Sequence, residues 1–475
     1  MEILHVSAEC YPVAKAGGLG DVVGALPKYQ VKAGDHAKVI MPMYRTRFLY
    51  QHHFEVVHKG VSNLADWYFD FTIIREKSNQ LGFELYLVDI YGLLDREQVY
   101  GYDDDAQRFT AFQIAVLDWL RSWSHQPDIV HVHDHHTALI PFMMQHCYRY
   151  ASLRNIPTVL TVHNAQYQGW MDMSRTQYIP AWDPWKRGLL EWNGSLNPLA
   201  SGLRCAWKVT TVSASYLEEL KTSSNGLEQL FISEASKSVG ILNGIDTAVW
   251  NPAADKYLQH DYSSQTVTEG KAKNKKLLCE TFGLDSQKPL IIFIGRLVEE
   301  KAADLLTPSI ADAFHHIGRR MNFLILGSGD PQVEADLNRL LSLSQHDYAC
   351  YIGYNESLSH LMYAGADFLL MPSRVEPCGL NQMYALRYGT VPMVRKTGGL
   401  KDTVRDIGDE AGFGIMFDDA STGAITHAVW RACEMYPNET HMHHVRKQMM
   451  SIDNSWQHSI QQYAALYKSV GVITS

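Results

Sequence analysis

Four short segments combine residue types suited to phosphate, sugar hydroxyls or developing charge. The first is Lys15-Ala16-Gly17-Gly18-Leu19-Gly20-Asp21, which follows an apolar run and precedes the helical pattern Val22-Val23-Gly24-Ala25-Leu26. Glycines let backbone N–H groups approach an anion, a helix N-terminus adds positive potential, and Lys15 supplies a point charge. The segment is neither G-x-G-x-x-G nor a P-loop, since no Gly-Lys-Ser/Thr follows. Alone, such a turn serves chain reversal as readily as ligand binding. A second copy, Lys396-Thr397-Gly398-Gly399-Leu400, also sits between an apolar run and a helix start at Asp402-Thr403-Val404, which favours a ligand role for the pair.

The third segment, Gly295-Arg296-Leu297-Val298-Glu299-Glu300-Lys301, leaves the apolar run Leu290 to Ile294. Arginine as a fork and lysine as a point charge can converge on a diphosphate. The plain alternative is a solvated charged turn. The fourth, Pro372 to Asn381 with Glu376-Pro377-Cys378-Gly379-Leu380 at its centre, places a carboxylate and then free backbone amides at a helix start. That suits sugar hydroxyls and developing negative charge, although simple helix capping would look the same.

These segments need rigid elements to hold them. Short β-branched runs alternate with helical patterns: Ile3 to Val6, Ala37 to Met41, Asp128 to Val132, Thr158 to Val162 and Val209 to Val212, then Leu290 to Ile294, Phe323 to Leu326, Phe368 to Met371 and Val391 to Val394. Such alternation predicts two parallel, doubly wound α/β domains, which bind ligands at the carboxyl ends of their strands. The expected division is 1–242 and 243–455, with a hinge near residues 240–252. The apolar spacing of Trp456, Ile460, Tyr463, Ala464 and Tyr467 predicts a terminal helix that could pack against either domain, and the segment 456–475 is expected to return to the first. A chain of 475 residues with 46% apolar and 20% charged residues belongs to the globular class. Its formal charge of −9 gives no electrostatic reason to expect nucleic acid or an anionic membrane as partner. Seven scattered cysteines without a C-x-x-C pair argue against a disulfide framework and a zinc ribbon. With no leader pattern in MEILHVSAECYP, the expected location is cytoplasmic.

The segments together resemble the glycogen and starch synthases, retaining glucosyltransferases of the GT-B type, in which two Rossmann-like domains face one another across a deep cleft. The matching strings are KAGGLGDVVGALPK, HDHHTAL, TVHNAQYQG, LNGIDTAVWNP, GRLVEEK, LGSGD and PSRVEPCGLNQMYALRYGTVPMVRKTGGLKDTV, in family order over nearly the whole chain. The resemblance implies transfer of glucose from ADP-glucose, with UDP-glucose the other donor to consider, to the non-reducing end of an α-1,4-glucan, glycogen or a maltooligosaccharide. It implies no cofactor and no metal.

Carried over by position, Lys15, Gly17 and Gly18 lie against the donor phosphates, and Arg296 and Lys301 clamp the diphosphate. Glu376 holds the donor glucose with backbone groups of Cys378, Gly379 and Leu380. Thr397 and Gly398 belong to the second glycine turn. His163 is close to the transferred sugar, Asp134 faces the acceptor side, Asn243 is another sugar-pocket residue and Tyr354 lies near the adenine. Three departures stand out. Ala302 replaces the usual glycine after the clamp lysine and threatens strain in the turn. His135 replaces an indole in the family's D-W-H, which bears on acceptor preference. Asn381 stands where threonine is common, and Tyr384 occupies the second position of E-x7-E, as is usual in this family.

A leaving diphosphate needs electrostatic stabilisation more than protonation. Retention without paired carboxylates is expected through front-face attack, with Glu376 orienting glucose rather than acting as a covalent nucleophile. Hinge closure near Asn243 is expected to exclude water. Two other clusters invite readings. His131, His133, His135 and His136 around Asp134 offer nitrogens that a metal could use, and Asp103-Asp104-Asp105 resembles a metal-binding D-x-D, for which a solvated loop is the preferred reading. The rivals are a catalytically idle glucan-binding protein, another retaining nucleotide-sugar transferase, and a glucan phosphorylase, which would need a pyridoxal-phosphate lysine.

Overall fold

A computed structural model describes residues 1–344 and 346–471. The chain divides into two compact units, Met1–Asn243 joined by the segment from Trp456, and Gly244–Ser455.

The first unit is built on a sheet of β1 (Glu2–Val6), β2 (His36–Pro42), β3 (Phe54–Leu64), β4 (Trp67–Glu76), β5 (Glu84–Asp89), β6 (Ile129–His133), β7 (Thr158–Val162), β10 (Lys208–Thr211) and β11 (Ser238–Gly240). A small hairpin, β8 (Glu191–Trp192) and β9 (Ser195–Leu196), lies outside it. The sheet order is β11-β10-β7-β6-β1-β2-β5-β4-β3. Its middle is parallel, with Ile3 opposite Ile129 and Ala37, and the β5-β4-β3 end is antiparallel. Strands β6 and β7 are buried at every residue, the mark of a parallel sheet covered on both faces. Helix α1 (Gly18–Lys32) packs Val22 and Leu26 in one cluster with Ile3 of β1 and Leu19 and Val23 in another with Val39 and Met41 of β2, and Asp21 in its first turn complements the helix dipole.

The helix Trp456–Lys468 packs on this unit: Trp456, Ile460, Tyr463, Leu466 and Tyr467 join Ile3, Val22, Leu26, Ile129 and Val159 in one apolar cluster. Of the C-terminal stretch 456–475, residues 472–475 lie outside the described residues.

The second unit holds β12 (Leu290–Ile294), β13 (Asn322–Gly327), β14 (Tyr348–Ile352), β15 (Phe368–Met371), β16 (Val391–Arg395) and β17 (Ile415–Phe417), in the order β14-β13-β12-β15-β16-β17 and parallel throughout. Its core buries Ile291, Ile292, Leu324, Leu369, Met393 and Val394 between helices. Buried Asp367 binds Lys275 and Arg446, both at 2.7 Å, and accepts the Leu290 N–H, so no charge in that core is left without a partner at this point.

Each sheet changes winding direction once in its middle, between β1 and β6 in the first and between β12 and β15 in the second. Ligands of such sheets bind beyond the strand ends at that point. The chemistry-bearing loops leave there. No helix among the described residues is long and apolar enough to cross a membrane.

Candidate active site

In the second unit, the loops after β12, β15 and β16 emerge from neighbouring strands. Asn381 Nδ2 donates to the Ile294 carbonyl at 2.7 Å, tying the helix Asn381–Tyr388 to the exit of β12. The Arg374 and Val375 N–H groups donate to the Glu300 carbonyl, and the Arg374 guanidinium grips Asp304 through two bonds of 2.6 and 2.8 Å. The turn carrying Lys301 is thereby fastened to the loop carrying Glu376. Lys301 Nζ donates to both oxygens of Glu376 at 2.6 Å, and Ser373 Oγ donates to Oε2 at 2.8 Å. Arg296 does not join this pair. Its side chain is 56% exposed and reaches Glu300 only at 3.5 Å, which leaves the guanidinium available to an anion.

The helix start beyond Glu376 is shaped by close packing. Gly379 takes φ +73°, a left-handed conformation suited to glycine. The N–H groups of Gly379 and Leu380 have no hydrogen-bond partner among the described residues, while buried Cys378 passes its carbonyl to Gln382 Nε2 at 3.0 Å. Thr397 is buried at the N-cap of the helix Gly398–Thr403. A methyl on Gly398 would overlap the Glu376 carbonyl oxygen, and one on Gly399 would overlap that of Cys378. The Gly399 N–H donates to the Glu376 and Pro377 carbonyls, both at 3.1 Å. The second glycine turn therefore supports the Glu376 loop by direct backbone contact. Tyr354, beyond the end of β14, is 84% exposed. Tyr384 stacks on Trp250 with centroids 3.8 Å apart, a packing role.

In the first unit, the residue that shapes the glycine loop is one that the motif reading passed over. Buried Glu9 accepts the N–H groups of Ala16 at 2.6 Å and Gly17 at 3.0 Å through Oε2, and the Tyr100 hydroxyl at 2.6 Å through Oε1. One amide expected to meet phosphate, that of Gly17, is thus committed to a carboxylate. Around Gly17 and Gly18 themselves there is open space where a side chain would stand. Lys15 Nζ pairs with Asp21 at 2.7 Å and keeps a largely solvated side chain. Glu9 was detectable in principle, since it lies just past the end of β1, where such sheets place ligand-handling residues.

Asp134, at the end of β6, has φ +58° and ψ −174°, a region costly for any residue with a side chain. Its Oδ1 accepts the His163 N–H at 2.6 Å, clamping the ends of β6 and β7 together. Burial pushes its carboxyl up to about 7, against the lowering effect of the His163 and Asn164 amides. His135 Nδ1 lies 3.1 Å from the Tyr167 carbonyl, and its ring fills the space beside Gly169, joining the loops that follow β6 and β7. His136 stacks on Tyr100 at 4.6 Å and leaves a buried Nδ1 without a partner. Asn243, the last residue of this unit, is buried with its side-chain oxygen unpartnered. The Asp103-Asp104-Asp105 run, expected as a solvated loop, is a turn that enters the helix Asp105–Arg121, with Asp104 binding Arg96 at 2.8 Å and Asp105 binding Arg108 at 2.6 Å.

Residues 2–233 match the starch synthase catalytic domain family, and residues 275–445 match glycosyl transferases group 1. The chain is 51% identical over 470 residues to the glycogen synthase of Flavobacterium johnsoniae, covering 99% of each. It belongs to the glycogen and starch synthase family. Another member, the glycogen synthase of a Hydrogenobaculum species, is 37% identical over 100% of this chain and 99% of its own. Among solved structures, the catalytic domain of starch synthase IV from Arabidopsis thaliana, bound to ADP and acarbose, superposes with a TM-score of 0.88 at 31% identity over 99% of both chains. Sucrose-phosphate synthase from Thermosynechococcus elongatus, with a TM-score of 0.64 and 16% identity over 99% of both chains, shares the GT-B fold. Within this family frame, Ala302 is notable. It is fully buried with φ +53°, so the strain expected from replacing glycine is present in the backbone.

Proposed function

We propose that this chain is a glycogen synthase that transfers glucose from ADP-glucose to the non-reducing end of an α-1,4-glucan with retention at the anomeric carbon. The observation that carries the reading is the Lys301–Glu376–Ser373 cluster beside an exposed Arg296. A cation and a carboxylate held 2.6 Å apart are what a glucosyl diphosphate requires: one charge for the departing oxygens, the other for the sugar. Family membership and the ADP-bound starch synthase IV relative support the donor.

In this reading the C–O bond between the anomeric carbon and the diphosphate breaks as the acceptor hydroxyl forms its bond on the same face and passes its proton to the departing phosphate oxygen. Arg296 and Lys301 stabilise the negative charge gathering on the diphosphate, with Lys15 acting toward the donor phosphates from its own loop. Lys301 would then divide its charge between phosphate and Glu376, leaving the carboxylate freer to steady positive charge on the ring. The N–H groups of Gly379 and Leu380, with Cys378, orient the hexose, and Thr397 and Gly398 keep that segment in place. Asn243 and His163 serve the sugar, and Tyr354 stacks on the base. Asp134, poised near neutrality, faces the acceptor hydroxyl.

The test is nucleotide release from ADP-glucose and UDP-glucose, each with and without glycogen. Glycogen-dependent ADP, with glucan growth, is expected. Release of neither nucleotide in response to glycogen overturns the synthase reading, and release of UDP alone overturns the donor.

A further inference from the structure

The rings of His5, His131, His133 and His163 offer eight nitrogens, and seven are hydrogen-bonded inside the first unit. His163 Nε2 lies 3.0 Å from His133 Nδ1, His133 Nε2 lies 3.1 Å from His5 Nδ1, and His5 Nε2 lies 2.7 Å from Gln30 Oε1. From the other end of the same amide, Gln30 Nε2 donates to the Tyr467 hydroxyl at 3.1 Å. That hydroxyl is 2.7 Å from His131 Nδ1, and His131 Nε2 is 2.6 Å from Thr161 Oγ1, which meets Thr210 Oγ1 at 2.6 Å. Gln30 and Tyr467 are each 1% exposed, so water does not enter the chain at its centre. The eighth nitrogen, His163 Nδ1, has no hydrogen-bond partner among the described residues.

Two neutral imidazole nitrogens that face each other share one proton, so polarity fixed at one end passes along the whole row. The rings are neutral because burial depresses them, His5 to about 4, His163 to about 3, and His131 and His133 well below the ordinary histidine value. With the Gln30 carbonyl toward His5, His5 must donate from Nε2 and accept at Nδ1. His133 then donates from Nε2 and accepts at Nδ1, and His163 donates from Nε2. On the other branch Tyr467 accepts from Gln30 and donates to His131, whose Nε2 donates to Thr161. Turning the amide over reverses every one of these bonds, with no other group out of step.

We propose that Gln30 is a positioning residue for His163: its amide, with the oxygen on His5 and the nitrogen on Tyr467, keeps the proton on His163 Nε2 and leaves Nδ1 to accept a hydrogen bond from a sugar hydroxyl. The consequence for turnover rests on the glucosyl-transfer reading; the proton arrangement does not. The proposal also gives the C-terminal helix a part in the site, because the Tyr467 hydroxyl accepts from the amide nitrogen in this arrangement.

Selective ¹⁵N labelling of histidine, with His163 assigned by its loss in H163Q, reads the tautomer directly. Wild type is expected to show one His163 tautomer, protonated at Nε2. Gln30→Met is expected to show both tautomers and to lower donor kcat/KM about tenfold with the melting transition retained. Tyr467→Phe, which removes only the anchor of the amide nitrogen, is expected to give the same mixture and covers the case in which the Met variant fails to fold. A wild-type proton on Nδ1, or a single unchanged tautomer in either folded variant, overturns the proposal. If wild type shows the expected tautomer but no glucosyl transfer, the functional reading fails and the positioning of the proton stands.

Discussion

The two glycine turns share the spelling Lys-x-Gly-Gly-Leu, yet their glycines exist for different physical reasons. In Lys15–Leu19 nothing stands within 4 Å of where a side chain on Gly17 or Gly18 would begin, and a carboxylate from Glu9 holds the loop from inside. In Lys396–Leu400 both glycines press against the backbone of Glu376 to Cys378. The first turn keeps space for something to approach; the second has already used its space on the protein. The acidic groups differ in the same way. Glu376 is paired with Lys301 and Ser373, whereas Asp134 is held by backbone amides on a strained residue and carries a raised proton affinity. A repeated motif thus signals a shared chain path before it signals a shared contact.

The sharpest way to break this contrast is to add a methyl to each turn. Gly399→Ala would drive a carbon into the Cys378 carbonyl, with no flexible side chain to give way. It should cost about 3 kcal/mol or more and displace the Glu376 loop. Gly17→Ala meets nothing, and φ −153° is extended backbone that alanine adopts freely. Its stability should change by less than about 1 kcal/mol while donor KM rises about tenfold, because the methyl stands in the approach to the loop. Urea melts of both variants, with donor titration of the folded one, check the pair. Equal stability losses would erase the distinction.

The carboxylates give the next test. Lys301→Ala should lower kcat about a hundredfold with the fold intact, since in the proposed reaction the cation serves the leaving group. For Asp134 the sign follows from its raised proton affinity. Between its unfolded value of 3.8 and about 7, the native state keeps a proton that the unfolded chain has lost, so this group's contribution to stability falls as pH rises through that window and levels above it. Asp134→Asn keeps the oxygen that accepts the His163 N–H and removes the titration. It should be more stable than wild type by roughly 4 kcal/mol at pH 8, with little difference near pH 4. Parallel urea curves for the two proteins across pH 4 to 8 would refute the assignment.

How far these features were legible follows from the range of the forces involved. Strands β12, β13, β15 and β16 were visible because a parallel strand covered on both faces is a continuous apolar run. Strand β3 was not recognised, because its half-exposed residues mix Val56, Val57 and Val61 with His58 and Lys59 and spell no clear period, while β4 was passed over although Phe69, Phe71 and Ile73 alternate with Asp70 and Thr72. The site loops were readable as local motifs. Glu9 was missed because it acts on amides seven and eight positions away through the folded loop, and Gln30 because it meets Tyr467 across 437 positions. Spacing in sequence carries no trace of such partners. The histidines at alternate positions of β6 were noticed as a cluster, but His5, which joins them from the neighbouring strand, was needed to explain where their nitrogens go.

The smallest expected effect tests whether strain in the Lys301 turn serves anything. Ala302 sits at φ +53° and ψ 36°, where a side chain costs roughly 1 kcal/mol relative to glycine. Glycine there would relieve that strain but loosen the unfolded chain by about 0.4–1 kcal/mol, and it would give up a fully buried methyl worth roughly 0.8 kcal/mol. The terms nearly cancel, so Ala302→Gly should leave the urea midpoint within about 1 kcal/mol of wild type. Lys301 is the residue before it and is already located by two bonds to Glu376, so kcat should also be unchanged. A fall in kcat at constant stability would mean that the alanine, rather than the ion pair, sets the direction of the lysine, and the second unit would then owe its prearranged charge to the backbone, as the first owes the shape of its loop to Glu9.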